Sequence, residues 1–140
     1  MSEKQSRRLG GAGDAVMIGG LDHINIETRD LDSSVHFYET VLGLHIGWRP
    51  AFDVPGAWVY ANDYPIVHLV VRPTVNPPPT GPIHHVAVKA HDLDAMTARL
   101  DEFGIPYTKE VVPDLAVTQL FVDDPNGVTL ELNFYADTEG

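Results

Sequence analysis

The chain contains no cysteine. That excludes disulfides, thiolate ligands and cysteine nucleophiles, and leaves any metal to histidine and carboxylate side chains. A cysteine-free chain also fits the cytoplasm. Cations are scarce: nine Lys and Arg face twenty Asp and Glu, a formal charge of -11. Such a surface repels phosphate backbones, which argues against nucleic acid and for a small-molecule partner. No apolar run approaches the roughly 20 residues of a membrane span, so no membrane partner is expected. Residues 1–20 are rich in glycine and charge and lack the apolar stretch of a secretory leader. They read as a flexible N-terminal extension in which Met17 offers an alternative start.

With 44% hydrophobic and 21% charged residues over 140 positions, the composition is that of one ordinary globular domain. Within it, one phrase occurs twice: LDHINIETRDLD from Leu21 and IHHVAVKAHDLD from Ile83. His23 and His85, Asp30 and Asp92, Leu31 and Leu93, and Asp32 and Asp94 are each 62 apart, whereas Gly43 and Gly104 are 61 apart. A histidine is thus repeated in register, and one residue is gained near the end of the first unit's helix.

The elements repeat as well. LDHINIET alternates as a strand; Asp30 can cap a helix from Leu31 whose stripe is Leu31, Val35, Tyr38 and Leu42 and whose stop is Gly43. LHIGWR, AWVYAN and PIVHLVVR then read as three short strands. The proline-rich residues 73–81 form a linker, after which HHVAVKA, a helix capped by Asp92 and closed by Gly104, and YTKEVV, AVTQLFVDD and VTLELNF follow in the same order. The expectation is an α+β fold of two tandem βαβββ modules, 21–72 and 82–135, forming a curved, pseudo-symmetric mixed-sheet cavity. A short tail, 136–140, closes the chain.

Alternation puts Leu130, Leu132 and Phe134 on one face of the last strand and Thr129, Glu131 and Asn133 on the other. Val67 and Leu69 likewise oppose His68. If the modules pack as symmetric sheets, His23 and His85 from the first strands and His68 and Glu131 from the last converge. Three imidazoles and one carboxylate suit Zn, Ni, Co, Mn or Fe(II), with positions left for substrate.

These segments resemble the vicinal oxygen chelate superfamily, the group of glyoxalase I, fosfomycin-resistance proteins, methylmalonyl-CoA epimerase and extradiol dioxygenases. LDHINIETRDLDSSVHFYETVLGL is similar to its first-module opening, HHVAVKAHDLDAM to its second and DPNGVTLEL to its closing strand. The resemblance implies a divalent metal held by His23, His68, His85 and Glu131, and a homodimer. It implies a glyoxalase-type isomerase or lyase that chelates vicinal oxygens of a small substrate, with Glu131 as the proton-shuttling base. His68 stands where glyoxalase I has glutamate and epimerases glutamine. An Fe(II) or Mn(II) extradiol-type dioxygenase is the runner-up, with a metal-free small-molecule-binding resistance protein as a third reading.

Other residues carry blander expectations. His84 points to the opposite face of a regular strand; His36, His45 and His91 sit on the surface. Arg49 and Arg72 are solvated more readily than they hold an anion. Trp48, Phe52, Trp58, Tyr60 and Phe121 fill cores more readily than they line a cavity, and Asp123 and Asp124 form a turn.

Overall fold

Alternating apolar residues, a capped helix and three further strands build each unit, and the two units repeat one topology. The structure, a computed structural model, describes residues 17–73 and 80–136. In the first unit β1 (Ile24–Thr28) leads into α1 (Leu31–Val35), which continues as a π-helix (His36–Val41) and is followed by β2 (His45–Gly47), β3 (Gly56–Ala61) and β4 (Tyr64–Val71). The second unit comprises β5 (Val86–Ala90), α2 (Leu93–Glu102), β6 (Thr108–Val112), a 3-10 turn (Pro113–Leu115), β7 (Val117–Asp123) and β8 (Thr129–Tyr135). The sheet orders are β1-β4-β3-β2 and β5-β8-β7-β6, each with its opening strand parallel to its last and the other pairs antiparallel. This is the α+β pair of βαβββ units expected from the repeat. Residues 1–16, most of the linker (74–79) and residues 137–140 lie outside the described residues. Among the described residues, no helix is long and apolar enough to cross a membrane.

One core serves both units. Ile26, Val59, Val67 and Leu69 from the first sheet and Leu120, Val122, Leu130, Leu132 and Phe134 from the second pack with Phe37, Tyr38, Val41 and Leu100 from the helices. Burial of each such aliphatic or aromatic side chain is worth about 1.5–3 kcal/mol, and the cluster draws on both units.

The first helix departs from its expected stripe. Its buried residues are Ser34, Phe37, Tyr38 and Val41, while Leu31, Val35 and Leu42 are only half-buried. The π turn is the reason: the Leu42 amide bonds the Phe37 carbonyl, five residues back, at 2.9 Å, and the wider turn rotates the inward face. Gly43 and Gly104, at φ 85° and 67°, end the two helices in the left-handed conformation that glycine adopts without strain. Between cap and glycine the first unit has one residue more than the second, and the π turn accommodates it.

A buried polar contact joins the units. Asp124 forms its turn as expected, its Oδ1 accepting from the Asn126 and Val128 amides at 2.8 Å each. Its Oδ2 also accepts from the Tyr38 hydroxyl at 2.7 Å, across 86 residues of chain. Asn126 donates to Ser34 Oγ at 2.9 Å, and Ser34 donates to Thr28 at 3.0 Å.

Candidate metal half-sites on the two sheets

The aliphatic face of each sheet turns to the core, so the polar residues between those aliphatics collect on the opposite face. In the first sheet, pairing sets His68 of β4 opposite Asn25 of β1 on one side and Trp58 of β3 on the other. His23 lies one residue ahead of β1, not within it, and its ring stacks on His68 with centroids 3.7 Å apart and 14° between planes. Trp58 stacks on His68 as well, at 4.0 Å and 12°. Burial, followed by the neighbouring His23, lowers the His68 pKa, which favours a neutral ring with a lone pair to offer.

His23 is held from behind. Its Nδ1 lies 2.6 Å from Asp22 Oδ1, and Asp22 Oδ2 accepts from the Tyr64 hydroxyl at 2.6 Å. Hydrogen bonds from Tyr64 and then His23 hold the Asp22 carboxyl below the usual carboxylate range, and the same bond raises the Tyr64 phenol.

The second sheet carries the carboxylate. Glu131, in the middle of β8, faces Ala87 of β5 and Phe121 of β7 and is 9% exposed. A carboxylate so placed requires partners, and both oxygens have them. Oε1 lies 3.1 Å from His85 Nε2; Oε2 accepts from Gln119 Nε2 at 2.9 Å, and the same amide donates to Asn133 at 3.2 Å. His85 stands one residue before β5, and its Nδ1 meets His84 Nδ1 at 2.9 Å. His84 therefore does not point away: outside the strand, the two neighbouring rings meet.

The four candidate residues do not meet at one point within the single chain. Among the described residues, no group of three or more His, Asp or Glu side chains is placed to hold a metal. The four candidates stand as two pairs, His23 with His68 and His85 with Glu131, one on each sheet. The physical reason is the join between units. The shared core and the Tyr38–Asp124 bond fasten the units through their apolar sides, away from the faces that carry the two pairs.

The donor set nevertheless fits a divalent ion. Imidazole nitrogen and carboxylate oxygen bind such ions at about 2.0–2.2 Å, so two donors at right angles on one ion lie about 3 Å apart. The His85 to Glu131 separation, 3.1 Å, already has that span.

Around these pairs the expectations divide. His36, His45 and His91 are exposed, as predicted. Arg72 is exposed, with Glu27 at 3.7 Å, but Arg49 is not simply solvated: Nη2 donates to the Val54 carbonyl at 2.9 Å and Nε is buried without a partner. The aromatics do not fill the core either. Trp48 is 71% and Phe52 53% exposed, and both lean on Trp58, at 6.0 and 6.4 Å between centroids. They extend the His23–His68–Trp58 stack into a continuous ring surface. Beside it, a cleft of about 640 Å³ runs between the units, lined by Leu42, Leu44, Ile66, Val86, Val88 and Leu130 with Asp22 and His23 among its polar residues.

Asp22, Tyr64 and Gln119 were not singled out from the sequence. The repeat held a signal for the first, since Asp22 and His84 are the residues preceding the two repeated histidines. Gln119 is found only through the pairing that sets it opposite Asn133.

Comparisons with known proteins agree on the fold. Residues 20–132 match the family described as the Glyoxalase/Bleomycin resistance protein/Dioxygenase superfamily. The chain is 29% identical over 133 residues to a protein named Glyoxylase I 4 from Arabidopsis thaliana, covering 86% of this chain and 74% of that one. A glyoxalase/dioxygenase from Nostoc punctiforme superposes with a TM-score of 0.71 at 20% identity, over 89% of this chain and 99% of the other. TnmS3, an antibiotic binding protein from Streptomyces sp. CB03234, does so with a TM-score of 0.65 at 21% identity, over 87% and 100%.

Proposed function

We propose, from the premise that the chain belongs to the Glyoxalase/Bleomycin resistance protein/Dioxygenase superfamily, that it is a divalent-metal-dependent isomerase or lyase. It chelates vicinal oxygens of a small substrate and promotes proton transfer. The observation that carries the reading is the matched pairing of donors, His23 with His68 on the first sheet and His85 with Glu131 on the second. A homodimer completes the set. Two copies related by a two-fold axis would set the first sheet of one against the second sheet of the other, twice, giving two sites of four donors each.

Bound there, a divalent ion would supply Lewis-acid polarisation of the substrate's adjacent oxygens. The chain's own residues do the rest. Glu131, the carboxylate among the four, takes a proton from the carbon beside the polarised oxygen and returns it to the neighbouring position. Gln119 holds Oε2 while Oε1 works, which keeps the carboxylate oriented through the transfer. Half-buried Trp58 and the stacked imidazoles exclude water from one side.

The test is elemental analysis after loading with Zn, Ni, Co, Mn or Fe(II), alongside the triple variant His23→Ala, His68→Ala, His85→Ala. One ion per wild-type chain and none in the variant is expected; no stoichiometric metal in the wild type sinks the reading. Glu131→Gln should retain an ion while losing at least a hundredfold in turnover, the usual scale of a general base.

A second reading is metal-free binding of a small molecule. The exposed ring surface of Trp48, Phe52 and Trp58 favours it, as does the likeness to an antibiotic binding protein. Ligand binding unchanged in the triple variant would select it.

A further inference from the structure

Each repeated histidine has two ring nitrogens, and a metal ligand uses one of them. Which one is free depends on what the other is bonded to. A carboxylate only accepts, so the 2.6 Å contact from Asp22 Oδ1 places the proton of a neutral His23 on Nδ1 and leaves Nε2 with its lone pair. Asp22 is itself oriented, because Tyr64, at the start of β4, donates to its other oxygen at 2.6 Å. The His23 ring has a second constraint in the His68 ring stacked 3.7 Å away. Position, tilt and tautomer are therefore all set before any ligand arrives.

The second unit is built differently at the same place. His84 stands where the first unit has Asp22, and its Nδ1 faces His85 Nδ1 at 2.9 Å. An imidazole nitrogen either donates or accepts according to its own tautomer. On the other side of the ring, Glu131 Oε1 draws a proton toward His85 Nε2, the atom 3.1 Å away. The rule that sets the His23 tautomer therefore places the proton of a neutral His85 on Nε2 and leaves its Nδ1 to accept from His84, the reverse of His23.

We infer that Asp22, braced by Tyr64, is a positioning residue that fixes His23 with Nε2 open toward a metal, and that the second unit lacks this brace. The metal-binding half of this inference rests on the function proposed above; the tautomer half stands without it. The expected consequence is that the two repeated histidines start from opposite tautomers, so that His23 offers Nε2 as it stands and His85 does so only after parting from Glu131.

Long-range proton–nitrogen correlation spectra of the metal-free, uniformly labelled protein at pH 8 read the tautomer directly. His23 should carry its proton on Nδ1 in the wild type and in Asp22→Asn, whose amide oxygen still accepts. In Asp22→Ala the proton should move to Nε2 or become shared, with Tyr64→Phe between. Zinc titrations by calorimetry give the second readout. Asp22→Ala should weaken binding by about 10–100-fold, the usual effect of removing a partner of a ligating histidine, and Asp22→Asn by less than tenfold. A wild-type His23 with its proton on Nε2 overturns the inference, as does an Asp22→Ala variant with wild-type tautomer and affinity. The expected tautomers in a protein that binds no zinc or nickel would leave the positioning role standing and remove the metal reading instead.

Discussion

Removing one oxygen from Tyr38 should loosen the join between the two units by a predictable amount. Tyr38 is 1% and Asp124 4% exposed, so their 2.7 Å hydrogen bond is shielded from water and charge-assisted. Burial, with the Asp124 charge behind it, drives the Tyr38 phenol far above its ordinary range, so the hydroxyl remains a donor throughout the pH range of folding. Hydrogen bonds to charged groups are worth about 1.5–3 kcal/mol net. In Tyr38→Phe the Asp124 carboxylate retains the Asn126 and Val128 amides and the Asn126 side chain, at 2.8, 2.8 and 3.3 Å. It is not stranded, and the loss should therefore stay near 2 kcal/mol. For a domain of this size that lowers the melting temperature by about 5–10 °C. Urea unfolding of Tyr38→Phe, Asp124→Asn and the double variant forms a cycle in which the pair should couple by about 1–2 kcal/mol. A Tyr38→Phe protein within about 0.5 kcal/mol of wild type, or a cycle with no coupling, would refute the claim that this bond fastens the units.

If copies complete each other's sites, inactive His23→Ala and His85→Ala proteins should regain activity on mixing, because a mixed dimer has one site free of both changes; random exchange restores about a quarter of wild-type activity. No recovery under conditions that exchange subunits would place the whole site within one chain. Trp48→Ala should leave stability within about 0.5 kcal/mol, since its ring is 71% exposed, yet weaken a planar aromatic ligand about tenfold. Both tryptophans of the chain, Trp48 and Trp58, lie on that surface, so intrinsic fluorescence reports the binding, and equal affinity in the variant would remove the ring surface from the site. Gly56→Ala should destabilise by about 3 kcal/mol, as its new methyl would run into the Leu69 carbonyl across the β3–β4 pair; an unchanged urea midpoint would contradict this.

Much of the architecture was legible because duplication and alternation are local signals. Asp30 and Asp92 do cap their helices, accepting from Ser33 and Ala95 amides at 3.1 Å, and Leu130, Leu132 and Phe134 do face the core. Parallel pairing of β5 with β8 sets Ala87 beside Glu131, which brings His85, two residues earlier, within reach of its carboxylate. What stayed hidden depends on how units meet. Alignment treats the two modules as equivalent and says nothing of which sides touch, so it does not tell whether the four candidates meet within one chain. The placement of His23 and His85 just before their strands was equally hidden, and with it the contacts of Asp22 and His84, because a strand model sends neighbouring side chains to opposite faces. Trp48 and Phe52 differ for a related reason: hydrophobicity predicts burial on average, whereas these rings sit exposed on the β2–β3 connection, with the Arg49 guanidinium 5.0 Å over Phe52.

The π turn makes the join between units directional. Tyr38, buried within it, meets Asp124, whereas 62 residues further on the second unit has Leu100, a side chain with no hydroxyl to donate. One chain therefore holds a single key and a single lock, already engaged with each other. The contact is spent within the chain, and the sheet faces that carry the histidines take no part in it.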